Sequence, residues 1–197
     1  MGGGCERVGV SQCADGFVKD SLGGCTPLAA EGECPEGERQ TLGSTECRRF
    51  PCSPGNATSS IIVDGSADET VADGTLDHPH ARLSDALLAH PESPRFYFAG
   101  MTRENVVLDR PVRLAGQCPQ TSGIIAADAA RPAMTILAGA SGSVFEGLEV
   151  SGGSIGLLVS GAADIVLQSV HIGDVAGAGV LLEPTAEGAS ARQRNRL

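Results

Sequence analysis

Residues 135–152 read Thr135-Ile136-Leu137-Ala138-Gly139-Ala140-Ser141-Gly142-Ser143-Val144-Phe145-Glu146-Gly147-Leu148-Glu149-Val150-Ser151-Gly152, and residues 157–174 repeat their pattern. With a shift of 22 and no gap, Ile136 meets Leu158, Leu137 meets Val159 and Gly139 meets Gly161. Val144 then meets Val166, Phe145 meets Leu167, Leu148 meets Val170 and Val150 meets Ile172. A third copy starts one residue late at Gly179-Val180-Leu181-Leu182, and an earlier one ends at Leu114-Ala115-Gly116. Self-similarity at a fixed period is the mark of a repeat architecture.

A period of this length with β-branched content fits one coil of a parallel β-helix, which takes three short strands and three turns. Coils stack through main-chain hydrogen bonds about 4.8 Å apart, so equivalent side chains line up in rows. Inward positions then need aliphatics that pack on like residues, and the core can dispense with rings. Gly139, Gly152, Gly153 and Gly161 suit turns with positive φ. Leucine-rich and helical repeats lack the required frames here. A β-sandwich also accommodates short strands with turns and stands as the other all-β reading.

Working outward, Arg95-Phe96-Tyr97-Phe98, Asn105-Val106-Val107-Leu108 and Val112-Arg113-Leu114 read as strands with turns too short for crossover helices. A doubly wound sheet is therefore excluded. Ile61-Ile62-Val63 can start a strand. Residues 81–90 read as a helix with Leu83, Ala86, Leu87 and His90 on one face, bounded by Pro79 and Pro91.

Residues 1–58 differ. They hold Cys5, Cys13, Cys25, Cys34, Cys47 and Cys52, with turn formers between. So short a stretch cannot bury enough apolar surface unaided, and disulfides are the expected remedy. Zinc fits less well, because the cysteines are not closely paired and the segment has no His. The pairing stays open. Cys118, the seventh cysteine, has three options: to pair back into this module, to pair with a segment outside the frame, or to stay a buried thiol. The expected organisation is a Cys-rich, loop-rich module at 1–58, a parallel β-helix at 59–183 with its capping helix, and a disordered tail at 184–197.

Of 197 residues, 27 are Gly, none is Trp and the net charge is −10. An acidic surface repels phosphate backbones, so nucleic acid is a poor partner. No apolar stretch approaches the roughly 20 residues of a membrane helix. The start, Met1 to Glu6, has neither the basic nor the apolar region of a signal peptide.

Residues 73–87, Asp73-Gly74-Thr75-Leu76-Asp77-His78-Pro79-His80-Ala81-Arg82-Leu83-Ser84-Asp85-Ala86-Leu87, carry a more specific signal. They resemble the lead-in of the right-handed parallel β-helix, pectin-lyase-like superfamily, where a short helix caps the first coil. Ala99-Gly100-Met101-Thr102-Arg103-Glu104-Asn105-Val106-Val107-Leu108 and Arg110-Pro111-Val112-Arg113-Leu114-Ala115-Gly116 are similar to the strand segments that follow it. The resemblance covers about residues 60–183. Together with the Cys-rich module it resembles cell-surface proteins of myxobacteria. It implies an extracellular or cell-surface protein, with polysaccharide or cell-envelope components as partners. It also implies a fold more firmly than a function. The expected role is structural or carbohydrate-binding. The alternative is a polysaccharide lyase or glycoside hydrolase whose catalytic coils are missing or unrecognised. On either reading the frame is expected to be part of a longer protein.

Candidate sites follow from alternation. Leu148 and Val150 point inward with Glu149 outward, and in the next coil Val170 and Ile172 point inward with His171 outward. Glu149 and His171 should therefore be neighbours on one outer face. They are either an acid–base pair or a solvated ladder pair. No catalytic residue and no cofactor is assigned. Ca²⁺ enters only under the lyase alternative, because Asp164 and Asp174 are isolated and a calcium site needs six to eight oxygens. His78-Pro79-His80 reads as a surface turn rather than a metal site.

Overall fold

The protein was analysed as a computed structural model, which describes residues 11–183 apart from 22, 30, 31, 33, 36, 37, 41, 42, 50, 51, 53–56 and 58. Cys5 and the expected tail at 184–197 lie outside the described residues. The chain divides into two compact units, Met1–Phe50 and Pro51–Leu197. It is mostly strand, with a single α-helix among the described residues.

The first unit contains two antiparallel pairs of very short strands: β1 (Phe17–Lys19) with β2 (Cys25–Pro27), and β3 (Arg39–Gln40) with β4 (Cys47–Arg48). Cys13–Cys25 and Cys34–Cys47 are disulfides, with Cα atoms 5.7 and 5.6 Å apart. Each bridge ends on a strand, so cross-links do here what a large core does elsewhere.

The second unit is built on three parallel sheets. Its strands are β5 (Ile61–Val63), β6 (Arg95–Phe98), β7 (Met101–Arg103), β8 (Val106–Leu108), β9 (Arg113–Gly116), β10 (Gly123–Ile125), β11 (Met134–Leu137), β12 (Val144–Glu146), β13 (Glu149–Ser151), β14 (Leu157–Ser160), β15 (Val166–Gln168), β16 (His171–Gly173) and β17 (Val180–Glu183). From β6 onward the chain visits the sheets in strict rotation, giving the orders β15-β12-β9-β6-β5, β16-β13-β10-β7 and β17-β14-β11-β8. Inward rows meet between the sheets. Leu108 pairs with Ile136 and Ile136 with Val159; Phe96 pairs with Leu114, Leu114 with Phe145 and Phe145 with Leu167. Phe96, Phe98 and Phe145 are fully buried, so three rings join the aliphatic rows of the core. Phe145 sits between two aliphatic residues, Leu114 and Leu167, and so still packs as a row.

The register corrects the sequence alignment at one strand. β12 pairs with β15, and β13 with β16, at the expected shift of 22. β11 and β14 instead pair Ile136 with Val159, a shift of 23. A one-residue slip exchanges the faces of a strand; Leu158 consequently lies opposite Thr135. The extra residue is absorbed in the 3₁₀ turn Ala138–Ala140, which has no counterpart after β14. Leu114 pairs with Phe145, not with Leu137, because the intervening loops lengthen that coil.

The coil corners explain the glycines. Gly142, Gly147 and Gly152 have φ of 82°, 63° and 72°. One coil later the same corners hold Asp164, Ser169 and Asp174 at 56°, 51° and 52°. Gly153 and Gly161 also have positive φ, as expected, but Gly139 does not. It serves close approach instead, since a Cβ there would come within 2.1 Å of the Asp109 carbonyl oxygen.

The helix α1 (Leu83–Ala89) lies within the expected span and buries Leu83 and Ala86. Its own residues do not cap it. Both ends are finished by the segment around β8. At the N-terminus, Leu83 and Ser84 donate their backbone N–H groups to the Glu104 carboxylate. Beyond its C-terminus, Arg110 donates to the carbonyls of Leu87, His90 and Ser93 and lies over the Phe96 ring. An anion at the N-terminus and a cation at the C-terminus also suit the helix dipole. Asn105, between them, donates to the carbonyls of Asp128 and Pro132 and accepts from the Asp128 N–H, holding the loop before β11.

Candidate functional site

The outer face of the sheet β7-β10-β13-β16 carries the pair anticipated from alternation. Thr102, Ile124 and Val150 turn inward and are at most 1% exposed. The residues beside them lie on the opposite face, where Gly123 and Ser151 are nevertheless buried. Met101, Gly123, Glu149 and His171 form one row in register, and Arg103, Ile125, Ser151 and Gly173 form the next. Glu149 Oε2 lies 3.3 Å from His171 Nδ1.

This pair is more enclosed than an ordinary surface pair, with side-chain exposures of 14% for Glu149 and 21% for His171. Two glycines shape its surroundings. Gly123, at φ +148°, approaches β13 so closely that a Cβ would lie 2.0 Å from the Glu149 carbonyl oxygen. Gly173 makes room for the imidazole, since a Cβ there would lie 2.8 Å from His171 Cε1. A carboxylate beside an imidazole is a pair that serves in binding and in proton transfer. Among the described residues no group of three or more His, Cys, Asp or Glu is placed to hold a metal ion.

The other anticipated residues separate. Asp164 and Asp174 occupy corners with positive φ and form no cluster. Six cysteines are oxidised, and the third bridge joins Cys52 to Cys118 across 66 residues within the second unit. The seventh cysteine, Cys5, lies outside the described residues.

The His78–Pro79–His80 segment is not a simple surface turn. His78 is exposed, but His80 is only 6% exposed and forms an isolated parallel bridge with Val63. Its Nε2 lies 3.0 Å from Nε2 of His90, the rings meeting edge to face. Burial holds the His80 pKa below its ordinary value, and the neighbouring His90 adds to this. The placement of His90 on the apolar face of the helix was the sequence signal that could have found the pair. Among the described residues no helix is long and apolar enough to cross a membrane.

No protein-family model, no curated protein and no solved structure matches this chain.

Proposed function

We propose that the second unit is a right-handed parallel β-helix of the pectin-lyase-like kind, and that the protein is an exported bacterial surface protein with a structural or carbohydrate-binding role. The observation that carries this reading is the outer row Met101–Gly123–Glu149–His171 beside Arg103–Ile125–Ser151–Gly173. It is a strand face in register across four coils, on which Arg103 is exposed and Glu149 and His171 are half-buried, with Gly123 and Ser151 buried between them. Rows repeating every ~4.8 Å suit an extended ligand with its own short repeat, as a polysaccharide has. Three disulfides favour an oxidising, extracellular setting. The net charge of −10 favours a neutral glycan over a uronate polymer.

The test is retention of the oxidised protein on immobilised polysaccharides, neutral and acidic, beside Arg103→Ala and His171→Ala. Binding to a neutral glycan that both variants weaken is the expected result. Retention on none of the polymers would refute carbohydrate binding. Release of unsaturated products from a uronate polymer, with or without Ca²⁺, would replace it with the lyase reading.

A further inference from the structure

We infer that His80 and His90 form a two-imidazole site for a nitrogen-preferring divalent transition ion, with Ni²⁺ and Cu²⁺ the best matches. The site lies at the capping helix, apart from the Glu149–His171 face, and does not depend on the glycan reading.

The geometry is the starting point. The two Nε2 atoms face each other at 3.0 Å. With metal–nitrogen bonds of about 2.0–2.1 Å, that separation corresponds to an angle of about 90° at the ion. Cis positions of a square-planar or octahedral ion have this angle, whereas a tetrahedral ion needs the nitrogens a few tenths of an ångström further apart. Imidazole is a preferred ligand of Ni²⁺ and Cu²⁺, and affinity rises towards Cu²⁺ in this series.

The two backbones are held by separate parts of the fold. The His80 backbone N–H donates to the Ile62 carbonyl, and the His80 carbonyl accepts from the Asp64 N–H. The His90 backbone N–H donates to the Ala86 carbonyl, and the His90 carbonyl accepts from Arg110. Gly74 completes the enclosure. It is buried at φ +81°, and a Cβ there would press to 3.1 Å from His90 Nε2 and 2.7 Å from Ile61 Cγ2. A side chain at that position would displace the ring.

Asp85 and Asp73 place negative charge near His80, which favours a nearby dication. His90 is only partly buried, leaving a route for the ion and for water as its remaining ligands. The same spacing also serves an imidazole–imidazole hydrogen bond, and the experiment must separate the two.

Titration calorimetry of the oxidised chain carrying Cys5→Ser, which removes the seventh cysteine as a competitor, with NiCl₂ and CuCl₂ should give one equivalent of bound ion. Binding should weaken roughly tenfold or more in His90→Gln and be unchanged in His78→Gln and His171→Gln. The ion should also raise Tm by about 5 °C at a free concentration 100-fold above Kd. No uptake, or uptake undiminished in His90→Gln, would overturn the assignment. If His90→Gln does not fold, histidine-ring NMR of the Cys5→Ser parent decides. The two exposed-face rings are assigned from His78→Gln and His171→Gln. Paramagnetic broadening should strike the other two rings first, and broadening of His171 or His78 first would refute the site.

Discussion

Glu104 caps a helix that begins twenty-one residues earlier in the chain, its Oε1 accepting the backbone N–H of Leu83 at 2.6 Å. Its Oε2 accepts the N–H of Ser84 at 3.0 Å, so one buried carboxylate satisfies two of the orphan donors of α1. The residue that would ordinarily cap this helix is Arg82, whose side chain does not. The cap is therefore a tertiary contact, and it ties the helix to the turn between β7 and β8.

Removing that carboxylate should be costly for its size. Two charge-assisted hydrogen bonds are lost, and the buried N–H of Leu83 and the partly buried N–H of Ser84 are stranded. Glu104→Ala should lose about 2–3 kcal/mol of stability, and Glu104→Gln less, because the amide keeps one acceptor oxygen. Urea unfolding followed by far-ultraviolet circular dichroism checks this. Equal midpoints for wild type and Glu104→Ala would show that the cap contributes nothing.

The corner residues offer a gain of stability. Ser169 occupies at φ 51° the position that Gly147 holds one coil earlier at 63°. The left-handed conformation costs a residue with a Cβ about 1–2 kcal/mol, part of which glycine returns through unfolded-state entropy. Ser169→Gly should raise stability by about 0.5 kcal/mol and Asp174→Gly by less, since Asp tolerates this region. Gly147→Ala should lower it by about 1 kcal/mol or more. Tm measurements on the three variants give the signs.

The buried His80 predicts a pH dependence. Its folded pKa is depressed below the ordinary 6.5 by burial first and by His90 second, with Asp85 and Asp73 opposing. Well above pH 6.5 the imidazole is neutral in both states. As the pH falls through 6.5, the unfolded chain binds a proton that the folded chain does not, and stability drops until the folded group titrates. Urea midpoints taken from pH 8 to pH 5 in the presence of a chelator should fall for wild type. The fall should be shallower in His80→Gln. Parallel profiles would exclude His80 as its source.

The third disulfide should matter most among the three. Closing 66 residues in the unfolded chain is worth about 4 kcal/mol on the chain-entropy model, against about 3 kcal/mol for the 12-residue separation of Cys13–Cys25. Cys52→Ala/Cys118→Ala should therefore lower the Tm of the second unit more than Cys13→Ala/Cys25→Ala lowers that of the first, as calorimetry will record. Mass spectrometry of an unreduced digest should recover Cys52 linked to Cys118. Recovery of Cys118 with another cysteine would remove the basis for this expectation.

Much of the second unit was legible from local pattern. Alternation placed Leu148 and Val150 inside and Glu149 outside, and carried His171 to the position beside it. Those assignments depend only on the two-residue period of a strand and on equal coil lengths between β12 and β15 and between β13 and β16. Where coil length changes, the same reasoning fails. The turn Ala138–Ala140 shifts β11 against β14 by one residue, and longer loops separate Leu114 from the residue it was aligned with. An inserted residue in a turn has little local cost, so a short repeat contains no sign of where it will be absorbed.

By itself the amino-acid sequence determined that this chain would be strand-rich, ring-poor and cross-linked, with a short helix after residue 80 and an acid–imidazole pair on one outer face. These follow from alternation, helical spacing and the shortage of apolar surface around the first six cysteines, all of which act over a few residues or through composition. Only the tertiary structure decided that Cys118 bonds Cys52, that Glu104 and Arg110 finish α1, and that His80 leaves the surface to meet His90. Each of those joins groups separated by 10 to 66 residues. Their meeting is set by how the coils stack, and a buried donor, charge or imidazole takes whichever partner that stacking brings within reach.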